Sequence, residues 1–327
     1  MRILRGLLKW LLRLTVLLIF GVAGYAAYAH WTWRDIPVAA LEQKYGDSAL
    51  RTAVVDGVSL RYRLEGSGPA LVLIHSHYMD MTMWEAWLPL LTPHFSVLRY
   101  DLSGHGLTGP DPSGEYSVDR DVKLLESLLK LLQLDSVAVV GSSLGGNIAF
   151  TFAAQQPQRV PALVLINSGG LKRAGSRSGR EIPGWADHLL PLVPPAALHR
   201  FLTWMATDDG AITDAIKTRF VDFWRREGNR PAELARLRQF ETGEPDPLLA
   251  AITAPVLILW GEDNPQLPVA LSAEFEKKLT AASRVQRKTY PGAGHLLPLE
   301  RPAESAADTL AFLRAPTVPA EPETPAP

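Results

Sequence analysis

The sequence contains no cysteine in its 327 residues. Disulfides, thiolate metal sites, iron–sulfur clusters and cysteine nucleophiles are therefore excluded. A surplus of charge of either sign is also missing, because 33 Lys and Arg stand against 34 Asp and Glu. This balance argues against a nucleic-acid-binding protein, which normally carries a basic face. Hydrophobic residues make up 47% of the chain, so it has enough apolar surface to fold and is not disordered as a whole.

The first 34 residues differ in composition from the rest of the chain. The charges before Arg34 are all basic and lie at the start of the segment, at Arg2, Arg5, Lys9 and Arg13. Residues 14–33 carry no Asp, Glu, Lys or Arg, and about 20 helical residues are needed to cross the hydrocarbon core of a membrane. We therefore expect residues 1–34 to form a transmembrane anchor or a signal segment.

The charge distribution of this segment also predicts its orientation. Because positive charges tend to remain in the cytoplasm, we expect the rest of the chain outside it, in the periplasm of a Gram-negative cell. An uncleaved anchor at about residues 14–33 is favoured, since the apolar stretch continues to Trp31 and Trp33. The alternative is secretion after cleavage near Ala29, because Ala27-Tyr28-Ala29 has the small-x-small pattern of a signal cleavage site.

Strand-like and helix-like runs alternate over residues 50–168 and 252–314. Continuous apolar runs such as Ala70–His75 are typical of strands buried in a parallel sheet. The alternation predicts an α/β fold, with a mostly parallel twisted sheet and helices on both faces. Residues 169–251 contain no strand-like run and predict a helical cap inserted after the sixth strand. Residues 315–327 include five prolines and predict a disordered tail.

A serine lies in a motif that fits a nucleophile. Gly141-Ser142-Ser143-Leu144-Gly145 comes directly after a predicted strand and directly before a predicted helix. A G-x-S-x-G motif in this context forms a sharp turn that exposes the serine hydroxyl. Ser143 is therefore the candidate nucleophile, at a helix N-terminus that stabilises developing negative charge.

A serine hydroxyl needs a base to become a good nucleophile. His295 lies in the glycine-containing loop that follows the last predicted strand, far downstream of Ser143. This is the place of the base in the order Ser, acid, His. His295 is therefore the candidate general base.

These motifs together resemble the α/β-hydrolase superfamily, in the subgroup with a helical cap after the sixth strand. The resemblance covers about residues 50–314 and includes three further stretches, Tyr100-Asp-Leu-Ser-Gly-His-Gly-Leu-Thr108, Leu259-Trp-Gly-Glu-Asp-Asn264 and Gly294-His-Leu-Leu-Pro-Leu-Glu-Arg-Pro302. It implies an α/β-hydrolase fold and a serine esterase with a catalytic triad. It also implies that the oxyanion hole is formed by the backbone N–H groups of His77 and Leu144.

The sequence departs from the family pattern beside this oxyanion hole. Where the family has His-Gly after the third strand, this chain has His75-Ser76-His77, so the shape of the loop is open. Ser142 stands where many relatives carry a larger polar residue, which predicts altered packing beside Ser143. His75 and His77 could form half of a metal site, but no third ligand is apparent and we expect no metal.

The third departure concerns the acid of the triad. The family pattern W-G-x-x-D-x-x-x-P, aligned on Trp260 and Pro268, gives Asn264, with Asp263 one residue earlier. An Asn can orient an imidazole but cannot offset its charge. Either the loop shifts so that Asp263 reaches His295, or the enzyme works with Asn264. The alternative family position, after the sixth strand, is Asn167 and supplies no carboxylate, so Asp263 is the favoured acid.

The sequence therefore predicts a membrane-anchored serine hydrolase that cleaves carboxylic esters of small to medium apolar substrates through an acyl-enzyme. Carbon–carbon bond hydrolysis of ring-cleavage products is an alternative, because related enzymes use the same triad for it. Substitutions at Ser76 and Asn264 motivate a second alternative, a catalytically decayed, membrane-anchored binding or scaffold protein. The expected partners are a small apolar ester-type substrate and the membrane. No metal, organic cofactor, nucleic acid or obligate protein partner is implied.

Overall fold

The computed structural model describes residues 2–172, 181–241 and 243–315. The predicted tail lies, from residue 316 onward, outside the described residues. So does the segment 173–180 near the start of the predicted cap.

Eight strands form one sheet, in the spatial order β1-β2-β4-β3-β5-β6-β7-β8. The strands are β1 (Arg51–Val55), β2 (Val58–Gly66), β3 (Ala70–Ile74), β4 (Ser96–Tyr100), β5 (Val137–Ser142), β6 (Leu163–Ile166), β7 (Val256–Gly261) and β8 (Val285–Tyr290). The pairs β1–β2 and β2–β4 are antiparallel, and all other pairs are parallel. The predicted α/β fold with a mostly parallel sheet is confirmed.

Twelve α-helices are present in the described part of the chain. They are α1 (Arg2–Thr32), α2 (Val38–Tyr45), α3 (Leu88–Leu91), α4 (Val118–Leu131), α5 (Leu144–Gln155), α6 (Pro195–Met205), α7 (Asp214–Trp224), α8 (Asn229–Gln239), α9 (Pro245–Ala251), α10 (Ala270–Lys278), α11 (Leu297–Glu300) and α12 (Pro302–Arg314). Short 3₁₀ helices span Met81–Trp87, Pro157–Arg159, Gly184–His188, Leu190–Leu192 and Asp209–Ala211.

The pattern of apolar residues explains the sheet. All residues of β5, β6 and β7 are buried, as expected for central parallel strands covered on both faces. The first hairpin turns at Asp56 and Gly57, whose φ angles of 47° and 84° fit the turn that joins twisted antiparallel strands. One apolar cluster lies on each face of the sheet, the first around Phe150, Trp260 and Phe275 and the second around Trp84, Trp87 and Phe312.

The insertion between β6 and β7, here called the cap, contains α6 to α9 and, in its described residues, three 3₁₀ helices, Gly184–His188, Leu190–Leu192 and Asp209–Ala211. The described residues of this insertion form no strand of the sheet. Because parallel strands end at the same edge, the segments after β3, β5, β6, β7 and β8 converge there beside the cap. This convergence sets the position of the candidate site.

The N-terminal helix α1 is the one helix in the described chain that is long and apolar enough to cross a membrane. Its apolar side chains are largely exposed, in contrast to those of a core helix of similar composition. The helix fits a membrane anchor or a signal sequence.

Candidate active site

Ser143 lies on a strained turn between β5 and α5. Its φ of 54° and ψ of −112° are unusual for a residue with a side chain, and its N–H donates to the carbonyl of Ile166 at 3.0 Å. Strand and helix approach so closely that a Cβ on Gly141 would lie 2.1 Å from the carbonyl oxygen of Gly145. Glycine is therefore required at position 141, and the serine hydroxyl is presented at the carboxyl edge of the sheet.

His295 lies within hydrogen-bond distance of this serine. The distance between Ser143 Oγ and His295 Nε2 is 3.0 Å, although 152 residues separate them in the sequence. The His295 loop follows β8 and is held by a bond of 2.9 Å from its N–H to the carbonyl of Met205 in the cap. A hydroxyl and an imidazole nitrogen at this distance can exchange a proton.

The other ring nitrogen of His295 contacts Asn264, not Asp263. Asn264 Oδ1 lies 3.2 Å from Nδ1, and the Asn264 side chain is buried. The expectation that Asp263 reaches His295 is wrong. The side chain of Asp263 is exposed. The Asp263 N–H donates to the carbonyl of Ala293 at 3.0 Å, and this bond fixes the loop backbone.

The orientation of the Asn264 side chain is fixed by the backbone. Its oxygen also accepts hydrogen bonds from the N–H groups of Gln266 and Leu267, both at 3.0 Å. The oxygen therefore faces His295, and Nδ1 must carry the proton in order to donate. This leaves Nε2 free to accept from Ser143, which is the tautomer that a base requires.

Backbone groups that could hold an oxyanion lie beside Ser143. Leu144 is the first residue of α5, so its N–H has no acceptor within the helix. A Cβ on Gly145 would lie 2.3 Å from the carbonyl oxygen of Ile74, so the start of α5 contacts the end of β3 directly. His77 lies three residues beyond that end, on the loop that the sequence predicts to complete the oxyanion hole.

Ser76 and Ser142, both departures from the family pattern, contact each other. Their hydroxyl oxygens are 2.8 Å apart, and both side chains are fully buried. Two small residues on neighbouring strand ends thus satisfy each other's hydrogen-bonding groups. The pair connects the loop after β3 to the residue that precedes Ser143.

The chain is placed in a family by comparison with known proteins. A family model described as the alpha/beta hydrolase fold matches residues 69–302. The chain belongs to this family. This α/β hydrolase is also similar to three uncharacterized mycobacterial proteins, from Mycobacterium bovis and two strains of Mycobacterium tuberculosis, with 38% identity over 153 residues. That match spans 45% of this chain and 45% of each relative, so the chain covers about half of their length.

Three further similarities extend over most of the chain. A 2-hydroxy-6-oxo-6-(2'-aminophenyl)hexa-2,4-dienoic acid hydrolase from Metapseudomonas resinovorans is 28% identical, with 79% of this chain and 88% of that protein covered. The crystal structure of a bacterial membrane phospholipase A is 25% identical, with a TM-score of 0.68 and 95% of this chain and 97% of that chain covered. The crystal structure of a serine hydrolase involved in carbazole degradation is 25% identical, with a TM-score of 0.70 and coverage of 81% and 98%.

Burial in the α/β hydrolase site favours the neutral forms of His295 and His75. Burial lowers the pKa of His295 to about 4, with a further contribution from the nearby His77. Burial likewise lowers the pKa of His75 to about 4. His295 is therefore unprotonated at neutral pH and able to accept a proton.

The side chain of His77 points toward the cap. Its Nε2 lies 2.8 Å from Glu233 Oε2 on α8, and its ring stacks on Tyr78 with centroids 3.9 Å apart. His75 instead accepts the N–H of Leu102 at Nε2, at 3.0 Å. The two histidines thus have different partners, and the described residues contain no group of three side chains suited to a metal ion.

Asn167 is a residue of the site whose role the sequence did not indicate. It is fully buried after β6, and its Nδ2 donates to the carbonyls of Gly294 at 3.0 Å and His295 at 2.9 Å. Its Oδ1 accepts the N–H of Gly261 at 3.0 Å. Asn167 therefore holds the His295 loop against the end of β7. Its φ of 44°, which Asn tolerates better than most residues, is the one local signal.

A cavity of about 290 Å³ lies between the cap and the loop after β3. Its lining is largely apolar and includes Met79, Met83, Ile216, Phe220 and Leu299. Tyr78 and Glu233, which contact His77, also line it. The cavity is thus beside the loop of the predicted oxyanion hole, and it offers apolar surface.

Proposed function

We propose that this protein is a serine hydrolase that cleaves carboxylic esters of small to medium apolar acyl groups through an acyl-enzyme. The observation that carries the proposal is the distance of 3.0 Å between Ser143 Oγ, on its strained turn, and His295 Nε2. A nucleophile and its base within this distance are the mark of covalent catalysis at a hydroxyl.

The reaction has two halves, formation and hydrolysis of the acyl-enzyme, and His295 carries one proton in each. His295 Nε2 takes the proton of Ser143 as its oxygen attacks the ester carbonyl carbon, and the N–H groups of Leu144 and His77 bind the oxyanion. His295 then gives the proton to the leaving alkoxide, which departs as an alcohol. Water, deprotonated by the same nitrogen, then attacks the acyl carbon. The bond from this carbon to Ser143 Oγ breaks, His295 returns the proton to Ser143 Oγ, and the acid is released.

Asn264 acts as the positioning residue of this mechanism. Because its oxygen is fixed by two backbone N–H groups, it maintains the productive tautomer of His295. Changing Asp to Asn in a serine protease costs about 10⁴ in rate through the wrong tautomer, and that part of the loss is avoided here. What is missing is a negative charge to stabilise the imidazolium.

The proposal includes anchoring by the N-terminal helix, with the hydrolase domain outside the cytoplasm. The helix α1 is 31 residues long, and its apolar side chains are exposed. The similarity to the membrane phospholipase A covers 95% of this chain, and that enzyme's name indicates that esters of membrane lipids belong among the candidate substrates.

Carbon–carbon bond hydrolysis is the second candidate function. Relatives include the Metapseudomonas resinovorans enzyme and a 2-hydroxy-6-oxo-2,4-heptadienoate hydrolase from Pseudomonas putida, which is 25% identical over 77% of this chain. Both relatives are named for dienoic acid substrates, so these compounds should be tested beside esters.

The test compares two substrate classes on the full-length protein. Nitrophenyl esters of increasing acyl length and a 2-hydroxy-6-oxo-dienoic acid are supplied to the wild type and to Ser143→Ala. The proposal expects turnover of esters, an acyl adduct on the wild type in intact-mass spectra, and neither with Ser143→Ala. Faster turnover of the dienoic acid would establish the second function. No turnover of either substrate by folded wild type would support the decayed binding protein instead.

A further inference from the structure

The cap is attached to the end of the N-terminal helix. Tyr25 Oη donates a hydrogen bond of 2.7 Å to the carbonyl of Leu192, in the 3₁₀ helix of the cap. Ala29, one turn later, is fully buried. Trp33 receives the rings of Tyr25 and Tyr28 edge-on, with centroids 6.1 Å and 5.7 Å away. One face of the last two turns of α1, at Tyr25 and Ala29, therefore packs against the rest of the protein, although most other residues of the helix are exposed.

Backbone pairing extends this attachment beyond α1. The N–H of Ile36 donates to the carbonyl of Arg225 at 2.7 Å, and the N–H of Glu227 donates to the carbonyl of Ile36 at 3.0 Å. Arg230 of α8 forms an ion pair with Asp35 and donates to the carbonyl of Trp33 at 3.1 Å. The position of α1 therefore fixes the position of the cap.

The length of α1 determines how deep this attachment lies. A hydrocarbon core of about 30 Å takes about 20 helical residues, at about 1.5 Å each. If the core begins after Arg13, it extends to Trp33, and Tyr25 lies about 12 Å inside its outer boundary. If Arg13 extends its side chain to the headgroups and the core begins after Lys9, Tyr25 still lies about 6 Å inside. In both cases Tyr25 lies below the outer boundary of the hydrocarbon.

The part of the cap bonded to Tyr25 has the surface of an interfacial segment. In Gly184–Val193, Trp185 is 64% exposed and Leu189 is 46% exposed. The only acidic residue of the segment, Asp187, pairs with Arg238 at 2.7 Å. Tryptophan favours the boundary between headgroups and acyl chains, where exposed leucine also gains by leaving water.

We propose that residues 184–193 of the cap are inserted into the outer leaflet of the membrane that α1 crosses. The surface they contact is lipid, at the boundary of headgroups and acyl chains. The charged groups that follow α1 (Arg34 and Asp35) and the cap residues beside them (Arg225 and Arg230) then lie level with the headgroups. This inference rests on the membrane anchoring proposed above and adds a second membrane contact, within the cap.

Helix α6, which follows the proposed inserted segment in the chain, connects it to the candidate active site. Met205, at the end of α6, accepts the N–H of His295, and Phe201 on the same helix packs edge-on against Tyr78, with ring centroids 5.0 Å apart. A cap held in the outer leaflet thus places the candidate active site next to the lipid phase. Acyl esters dissolved in the membrane are the substrate class that this position favours.

Site-directed spin labelling tests the insertion, since the chain contains no cysteine to remove. Single-cysteine variants Trp185→Cys and Leu189→Cys are labelled in the full chain and reconstituted into vesicles of phosphatidylethanolamine and phosphatidylglycerol. Leu131→Cys, at the end of α4, is the matched control because Leu131 is also an exposed leucine, at 56%. Phe20→Cys, in the exposed middle of α1, reports whether α1 itself is in the membrane.

The readout is the collision rate of each label with oxygen, which concentrates in lipid, relative to a water-soluble nickel complex. For labels at 185 and 189 we expect a ratio about threefold or more above that at 131. A lipid-exposed label at 20 with water-exposed labels at 185 and 189 overturns the insertion but leaves the anchor. Water exposure at 20 as well overturns both. Labels at 185 and 189 shielded from both reagents indicate protein contact, such as a second copy, and also overturn it.

Discussion

Asn264 occupies the position at which a triad acid contacts its histidine, with its Oδ1 3.2 Å from His295 Nδ1. The same oxygen accepts two backbone hydrogen bonds, while the buried Nδ2 has no partner within the described structure. Three donors directed at one oxygen form an environment suited to a carboxylate. The site therefore retains the geometry for an acid and has an amide in its place.

Asn264→Asp is expected to increase kcat/KM for ester hydrolysis by about 10- to 100-fold. An adjacent carboxylate raises the pKa of an imidazole by about 1–2, and the imidazolium formed in the reaction is stabilised by the corresponding free energy. Steady-state kinetics on a nitrophenyl ester measure this change. Asp263→Asn is the matched control and should change the rate by less than about twofold, since an exposed carboxylate has little effect on a buried group. A slower Asn264→Asp enzyme, or a large loss in Asp263→Asn, contradicts this assignment.

The pH dependence of the wild type follows from the burial of His295. Its pKa is lowered to about 4, so the protonated, inactive form accumulates only below that pH. The acidic limb of kcat/KM should therefore have its midpoint near pH 4, with circular dichroism confirming that the protein remains folded. In Asn264→Asp the midpoint should move upward by about 1–2 units. A wild-type midpoint at or above the ordinary histidine value of 6.5 would be incompatible with a neutral, buried base.

The hydrogen bond between Ser76 and Ser142 should appear as coupling in a double-mutant cycle. Ser76→Ala or Ser142→Ala alone leaves one buried hydroxyl without a partner and should lower the free energy of unfolding by about 1–3 kcal/mol. The double variant should lose less than the sum of the single losses, because no unpartnered hydroxyl remains. Denaturant titrations of all four proteins in the same detergent provide the values. Strict additivity would show that the two hydroxyls do not depend on each other.

Asn167 should be needed for both stability and turnover. Asn167→Ala leaves the carbonyls of Gly294 and His295 and the N–H of Gly261 unsatisfied, which should cost about 3 kcal/mol or more of unfolding free energy. Asn167→Asp is almost identical in shape but directs an oxygen at two carbonyl oxygens, so it should be less stable still at neutral pH.

The Asn167 variants also distinguish positioning from catalysis. Displacement of the His295 loop should lower kcat in both, and protonation of the introduced carboxyl should partly restore the stability of Asn167→Asp as the pH falls, because the protonated group can again donate. Wild-type kcat in a folded Asn167→Ala protein would show that the loop is held by other contacts.

The sequence allowed the fold to be predicted because its signals are local. Continuous apolar runs identified the central strands, and Gly141 of the G-x-S-x-G motif is required by its contact with Gly145, only four residues away. The approach of His295 to Ser143 could be expected only through the known order of the family motifs. The structure brings these two side chains together across 152 residues.

The rest of the site depends on contacts that no local pattern records. A shift of the loop by one residue would decide whether Asp263 or Asn264 contacts His295. The position of this loop is set by the bond between the Asp263 N–H and the Ala293 carbonyl of a separate loop. The Ser76–Ser142 contact joins the loop after β3 to the end of β5, and the two serines are 66 residues apart in the chain. In the sequence, Ser76 and Ser142 are two separate departures from the family pattern, and only their contact in the structure connects them.

Fluorophosphonate labelling is the most direct test of the central claim that Ser143 is a nucleophile activated by His295. The probe phosphonylates a serine only when the hydroxyl is activated and accessible, and it requires no knowledge of the substrate. Intact-mass and peptide spectra of the wild type should show one adduct, on Ser143. Ser143→Ala should show none, and His295→Ala should label far more slowly. An unlabelled but folded wild type, or an adduct that persists in Ser143→Ala, would contradict the account.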